Sequence, residues 1–346
     1  MARAPQLISN RIELPDSLDE INEYFYQRGW TDGLPIVPPT EDRVTKMLSG
    51  TTRNPQDILG RMPPKWGEVT IEKIAVNATM AGCLPEYMPV IITAIEALLE
   101  PKFNLYAIQA TTHPVAPLLI VNGPIRKQLG ANAGYNVFGQ GARFNATVGR
   151  AIRLALINIG GGIPGKLDRA THGQPSKYSF CIAENEEQSP WPPFHIDRGF
   201  SPSTSTVTVG GFENPYEIND HSSDDAFGLL TTIAGSITHQ GNNNILYQDG
   251  EILVVIGPEH SATIAKSNFS KQDIRHYLFE KARIPRSAFS ERHKIDRFPH
   301  FKEDALIPVV TDENHILIVV AGGAGKHSMF CPSFGYTNSV TKAIGS

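Results

Sequence analysis

The chain has 346 residues, 40% of them hydrophobic and 19% charged, with a net charge of −4 at pH 7. That is enough apolar material for one large core or two closely joined ones, and no basic block offers a phosphate-neutralising surface, so nucleic acid is not an expected partner. No apolar run reaches the roughly 18 residues that a membrane-spanning helix needs, and "MARAPQLISNRIELPDS" lacks the apolar stretch of a secretion signal.

In chain order, "DSLDEINEYFYQRGW" carries helical apolar spacing at Leu18, Ile21 and Phe25, with Asp16 or Ser17 as its cap. Asp32-Gly33 marks a turn, and Thr40 caps a second helix with Glu41 and Asp42 in its first turn. "TIEKIAVNATMAG" and "EYMPVIITAIEALLE" read as apolar helices meeting at Gly82-Cys83-Leu84-Pro85, and "LYAIQATT" and "PLLIVNGP" as buried strands. The Gly-rich "GANAGYNVFGQGARFN" leads into the helix "NATVGRAIRLALINI". Residues Gly160 to Phe200 are rich in loops around one β-like run, "KYSFCIAEN". Beyond them lie a strand, "STVTVGGF", and the helix "DAFGLLTTIAGSI". "GEILVVIGPEHSATIAK" is then a strand, a Gly-Pro turn and a helix, followed by the helix "SKQDIRHYLFEKARIP". "HILIVVAGGAGKHSMF" is a strand running into a glycine loop, and a short terminal helix is expected after it.

"PLLIVNGPIRKQLG" and "EILVVIGPEHSATIA" share one pattern: an apolar strand, Gly-Pro, and a polar helix start. The echo suggests a duplicated unit. The expected fold is α/β, with two intimately packed lobes, residues 1–200 and 201–346, and a site between them. Ligands of such sheets bind beyond the carboxyl ends of the strands, which draws attention to the Gly-Pro turns and the Gly322-Gly323 loop.

Several residue types there suit chemistry. Cys83 sits just ahead of a helix start, where unpaired N–H groups and the helix dipole favour a thiolate; a small buried residue filling a turn is the other reading. His113, at a strand end, suits proton transfer or metal binding. "DRATHGQPSKYSFCIAENEEQSPWPPFHIDRG" gathers His172, Lys177, Cys181, Glu184, Glu186, Glu187 and His195. Its strand alternation puts Glu184 at the strand's end and Cys181 inside the sheet. In "GGAGKHSMFCPSFG", Gly322 and Gly323 let backbone approach an anion, with Lys326, His327 and Ser328 adjacent. Arg143, before a helix, is placed to hold a second anionic group. No spacing matches a metal motif. Gly322-Gly323-Ala324-Gly325 lacks the GxGxxG order of a dinucleotide fingerprint, so neither a metal nor a cofactor is assigned. Three widely spaced cysteines, Cys83, Cys181 and Cys331, argue against a disulfide framework and for a cytoplasmic setting.

"RGWTDGLPIVPPTEDRV", "VNATMAGCLPEYMPVI", "ATTHPVAPLLIVNGPIRKQLG" and "GQPSKYSFCIAENEEQSPW" together resemble a bacterial domain that accompanies UGSC-type (seleno)proteins. The resemblance covers most of the chain. It implies thiol or selenol redox chemistry, or chemistry on small sulfur- or nitrogen-containing molecules. The Cys-Gly-Ser-Cys motif itself is absent from this chain, and no catalytic residue is carried over.

The expectation is therefore a cysteine-dependent hydrolase or lyase acting on a small polar or anionic molecule without a cofactor. Cys83, His113, Glu184 and His327 are its candidate catalytic groups. Arg143, Lys177, Gly322, Gly323, Lys326 and Ser328 would hold the substrate. A metal-dependent enzyme with His and Glu ligands, and a non-catalytic partner of a thiol or selenol protein, are the alternatives. A homodimer is expected from base rates.

Overall fold

The computed structural model describes residues 7–345. Its described residues form eight helices of eight or more residues: α1 Leu18–Gln27, α2 Glu41–Leu48, α3 Ile71–Ala81, α4 Met88–Leu98, α5 Arg143–Asn158, α6 Ala226–Ser236, α7 Pro258–Lys266 and α8 Lys271–Lys281. Local chemistry sets several of their ends. The Ser17 hydroxyl accepts from the Glu20 N–H, Thr70 caps α3, and Ser270 and Asp273 form a reciprocal capping box on α8. None of these helices is long and apolar enough to cross a membrane.

Eight strands build two four-stranded sheets: β1 Ala116–Asn122, β2 Cys181–Ala183, β3 Thr206–Phe212, β4 Tyr216–Asn219, β5 Ile252–Ile256, β6 Ile316–Val320, β7 His327–Cys331 and β8 Val340–Ala343. The first sheet has the order β8-β3-β1-β2 and the second β6-β5-β7-β4. In each, a parallel pair (β1 with β2, β5 with β6) is extended by two antiparallel strands. The chain runs through the same four roles twice, and each time the fourth strand leaves for the other sheet. β4 follows β3 but pairs with β7, and β8 follows β7 but pairs with β3. The sheets therefore do not divide at residue 200: β3 and β8, both beyond it, belong to the first sheet.

The layers follow from alternation along the strands. Leu119, Val121, Val207, Val209 and Val340 pack under α3, α4 and α5. Ile252, Val254, Ile256, Ile316, Ile318 and Phe330 pack under α6, α7 and α8. The opposite faces meet each other through Leu118, Ile120, Ile182, Leu253, Val255, Leu317 and Val319. The result is helix, sheet, sheet, helix. The central strands are buried on both faces, so they read as continuous apolar runs.

The mixture of helices and sheets is the α/β class expected. Two local expectations fail. "LYAIQATT" is not a strand: Leu105–Gln109 is a short helix, entered through Asn104 at φ +57°, with Leu105 and Ile108 buried on one side. The terminal helix is also absent. Val340–Ala343 is an edge strand, because Val340 completes the first core and the backbone of residues 340–343 pairs with β3. At the second place tertiary pairing overrides local preference.

Because β8 closes the first sheet, a chain ending at Ser339 should lose stability there, far from the cut in sequence. We expect a melting temperature lower by about 5 °C and early proteolysis within residues 116–212, read by thermal denaturation and limited proteolysis.

Candidate functional site

The carboxyl ends of β5 and β6 open into glycine turns. β5 enters Gly257, the N-cap of α7, and β6 enters Gly322–Gly325 before β7 begins at His327. Two of these glycines are required by close approach. A Cβ on Gly257 would collide with the His327 carbonyl oxygen, and one on Gly323 with the Tyr135 ring. Tyr135 belongs to the first Gly-rich loop, so the two glycine loops of the sequence meet here. Between them lies a cavity of about 290 Å³. Its apolar wall is Val137, Phe138, Val255, Ala321 and Met329; its polar edge is Tyr135, Asn136, His327 and glycine backbone. A largely apolar concavity with a few convergent polar groups is the usual form of a small-molecule site.

His327 is the imidazole on that wall. Its Nδ1 lies 2.7 Å from Glu217 Oε1 on β4, and its Nε2 lies 3.3 Å from His221 Nε2. The register of β7 against β4, with His327 opposite Asn219, creates this contact, because His221 stands two residues beyond Asn219. A carboxylate accepts, so Nδ1 of His327 carries the proton. In the neutral ring Nε2 is then the acceptor, and His221 donates to it.

Ser328 is the next residue on β7, and its side chain points the other way. It shares a face with Phe330, which packs against the helices, whereas Met329 faces the inter-sheet layer. The Ser328 hydroxyl donates to Nδ1 of His260 at 2.8 Å and accepts from the Gly257 N–H at 3.2 Å. Nε2–H of His260 donates to the Asp220 carbonyl at 3.0 Å. Burial holds the His260 pKa below the ordinary imidazole value, against the opposing pull of Asp220. The pair ties β7 to α7 and to the end of β4. The Asp220 carboxylate accepts from Ser222, Ser223 and Thr232, which hold its pKa well below the usual carboxylate range although burial opposes them.

Of the ten residues expected at a site, Gly322, Gly323, His327 and Ser328 line this cavity. Lys326 is on the same loop, but its ammonium donates to the His221 carbonyl. The other five lie elsewhere. Cys83 is buried under the first sheet's helices, its thiol donating to the Thr147 carbonyl at 3.2 Å. Burial pushes its pKa up to about 12, which opposes the thiolate expected at a helix start. His113 precedes β1, at the amino end of that strand. Its Nδ1 accepts from the Val115 N–H and its Nε2 meets Glu213 at 3.0 Å. Glu184 follows β2 and is fully buried, its Oε2 accepting from Asn122 at 2.5 Å and from the Phe194 N–H at 2.7 Å. Burial raises its pKa, partly offset by Lys271. Arg143 is exposed at the first position of α5, and Lys177 pairs with Asp168 at 2.6 Å.

Tyr135, Glu217, His221 and His260 were not picked out from the sequence. Tyr135 lies in a loop already marked by its glycines. Glu217 lies in, and His221 just beyond, a short strand, "YEIN", that carries no apolar run to announce it. Among the described residues no group of three or more His, Cys, Asp or Glu side chains is arranged to hold a metal ion. No family model matches the chain, and no curated protein and no solved structure matches it significantly.

All three cysteines are buried free thiols, and burial raises the pKa of each. Native protein at pH 8 should therefore resist iodoacetamide at Cys83, Cys181 and Cys331 and react at all three after unfolding in guanidinium, as read by peptide mass spectrometry. A second outcome concerns acid. Burial lowers the pKa of His260 and of His195 from 6.5. As pH falls through that value, the unfolded chain binds protons that the folded chain does not, so stability should fall with pH. Urea midpoints measured from pH 7.5 to 5 should decline, and His260→Asn should decline less steeply than the parent.

Proposed function

We propose that this chain is an enzyme acting on a small polar or anionic molecule, by cofactor-independent acid–base chemistry of the hydrolase or lyase type, in the cavity between the two glycine loops. The observation that carries the proposal is the Glu217–His327 contact of 2.7 Å at the cavity wall. A carboxylate on Nδ1 fixes the tautomer, turns the Nε2 lone pair toward His221, and stabilises the imidazolium once Nε2 takes a proton through His221. His221, in contact with Nε2, is placed to relay that proton. The glycine backbones and the Tyr135 and Asn136 side chains would orient the polar part of the substrate, and Val137, Phe138 and Met329 its apolar part. The buried thiols have no step in this chemistry. Three free cysteines suit a reducing cytoplasm, and a homodimer remains the expected assembly.

The test is a panel of small carboxylic acids with their esters and amides, screened by saturation-transfer NMR and by product formation. At least one member should bind and turn over. His327→Gln should reduce turnover by about 10²–10⁴-fold while weakening binding far less. Turnover unchanged in that variant would overturn the proposal, as would ligand contacts that map away from Tyr135 and Met329.

A further inference from the structure

His221 and His327 face each other beside the cavity with the spacing of a chelating pair. Alternation along the antiparallel ladder puts Glu217, Asn219 and His221 on one face with His327, which lies opposite Asn219. Glu217 thus reaches one ring nitrogen of His327, and His221 the other. Both imidazoles are open to solvent, the His327 side chain to 46%.

The two Nε2 atoms are 3.3 Å apart, and the rings cross at 78° with centroids 5.0 Å apart. A hydrogen bond between the nitrogens is long at that distance. Two imidazole nitrogens, each about 2.0–2.1 Å from one tetrahedral ion, stand about 3.3–3.4 Å apart, with ring centroids about 5.2 Å apart. The pair therefore stands at the spacing of one edge of a tetrahedral coordination shell. The far side of His327 is finished as metal-binding imidazoles are. Its Nδ1 lies 2.7 Å from the Glu217 carboxylate, which accepts the Nδ1 proton, fixes the ring and raises the basicity of Nε2. Glu217 also brings negative charge near the position, against the Lys326 ammonium bound to the His221 carbonyl.

We propose that His221 and His327 bind one zinc ion through their Nε2 atoms, with water at the remaining positions and Glu217 as the orienting carboxylate behind His327. Imidazole suits zinc, whereas magnesium and calcium prefer oxygen ligands. His221 then carries its own proton on Nδ1. The ion takes the Nε2 lone pair that the reaction proposed above uses, so zinc blocks that reaction reversibly; this consequence, unlike the site, rests on that reading.

Zinc sulfate is titrated at pH 7.5 into the full chain, cleared of metal with EDTA and dialysed, and read by competition with a chromophoric chelator. Two of a structural site's four ligands are present, so one equivalent should bind with a Kd below about 100 μM. His221→Gln and His327→Gln should each weaken binding by about tenfold or more, and His276→Gln, at an exposed histidine of α8, should not. Weaker binding to the parent, or unchanged affinity in either variant of the pair, overturns the site. X-ray absorption at the zinc edge should show two imidazole nitrogens, and fewer overturns the site even if a variant fails to fold. Zinc bound here with turnover unchanged overturns the block and, with it, His327 as the base. Turnover lost in His327→Gln when the parent binds no zinc overturns the site alone.

Discussion

The apolar layer between the two sheets is the constraint around which this molecule is arranged. Leu118, Ile120, Leu253, Val255, Leu317 and Val319 face one another there, while their neighbours along the same strands face helices. Strands buried on both sides carry few polar side chains, here Asn122, Thr206, Thr208 and Ser328 among them, so chemistry concentrates where the strands stop. The cavity forms at one such place. The layer runs out beneath the loop bearing Val137 and Phe138, and glycines bring backbone where side chains would otherwise fill the gap.

The two sheets have matching ends, and these are finished differently. After β5 and β6 the chain turns through Gly257 and Gly322–Gly325 and leaves open space. After β1 and β2 the corresponding turns are closed by polar side chains. Glu186 accepts from the Gly123 N–H and the Asn122 amide, Arg126 binds Glu186 and Glu187, and Glu184 is sealed beneath them. Arg126 and His260 each stand three residues beyond a turn glycine. One locks a closed end, and the other lies behind the wall of an open one. The same architecture thus provides one structural end and one that can admit a ligand.

What could be read from the sequence follows the range of the forces involved. β1, β5 and most long helices were legible because apolar runs, caps and Gly-Pro turns act within a few residues. Gly322, Gly323 and His327 were legible for the same reason: they sit where an apolar strand ends. The pairing of His327 with His221 and Glu217 was not, because it depends on the register of two strands far apart in the chain. Cys83 stood out because its local setting resembles a helix start, whereas its burial, which the sequence does not announce, comes from α5 packing over it. Lys177 was marked as a ligand group on its neighbourhood alone, and only the fold sets it against Asp168 and Arg153. The C-terminal strand was hidden because its partner, β3, supplies the pairing that its own residues do not announce.

The exchange of fourth strands also sets the order in which the molecule can be assembled as it is made. Residues 340–343 form the outer edge of the first sheet, and they follow the other seven strands of the two sheets along the chain. The helices and strands of the first half emerge early, yet their sheet keeps an open edge until residues 340–343 have been made. A nascent chain must hold that edge apart from others like it while the strands of the second sheet are made, so the sheet begun first is not the first to be completed.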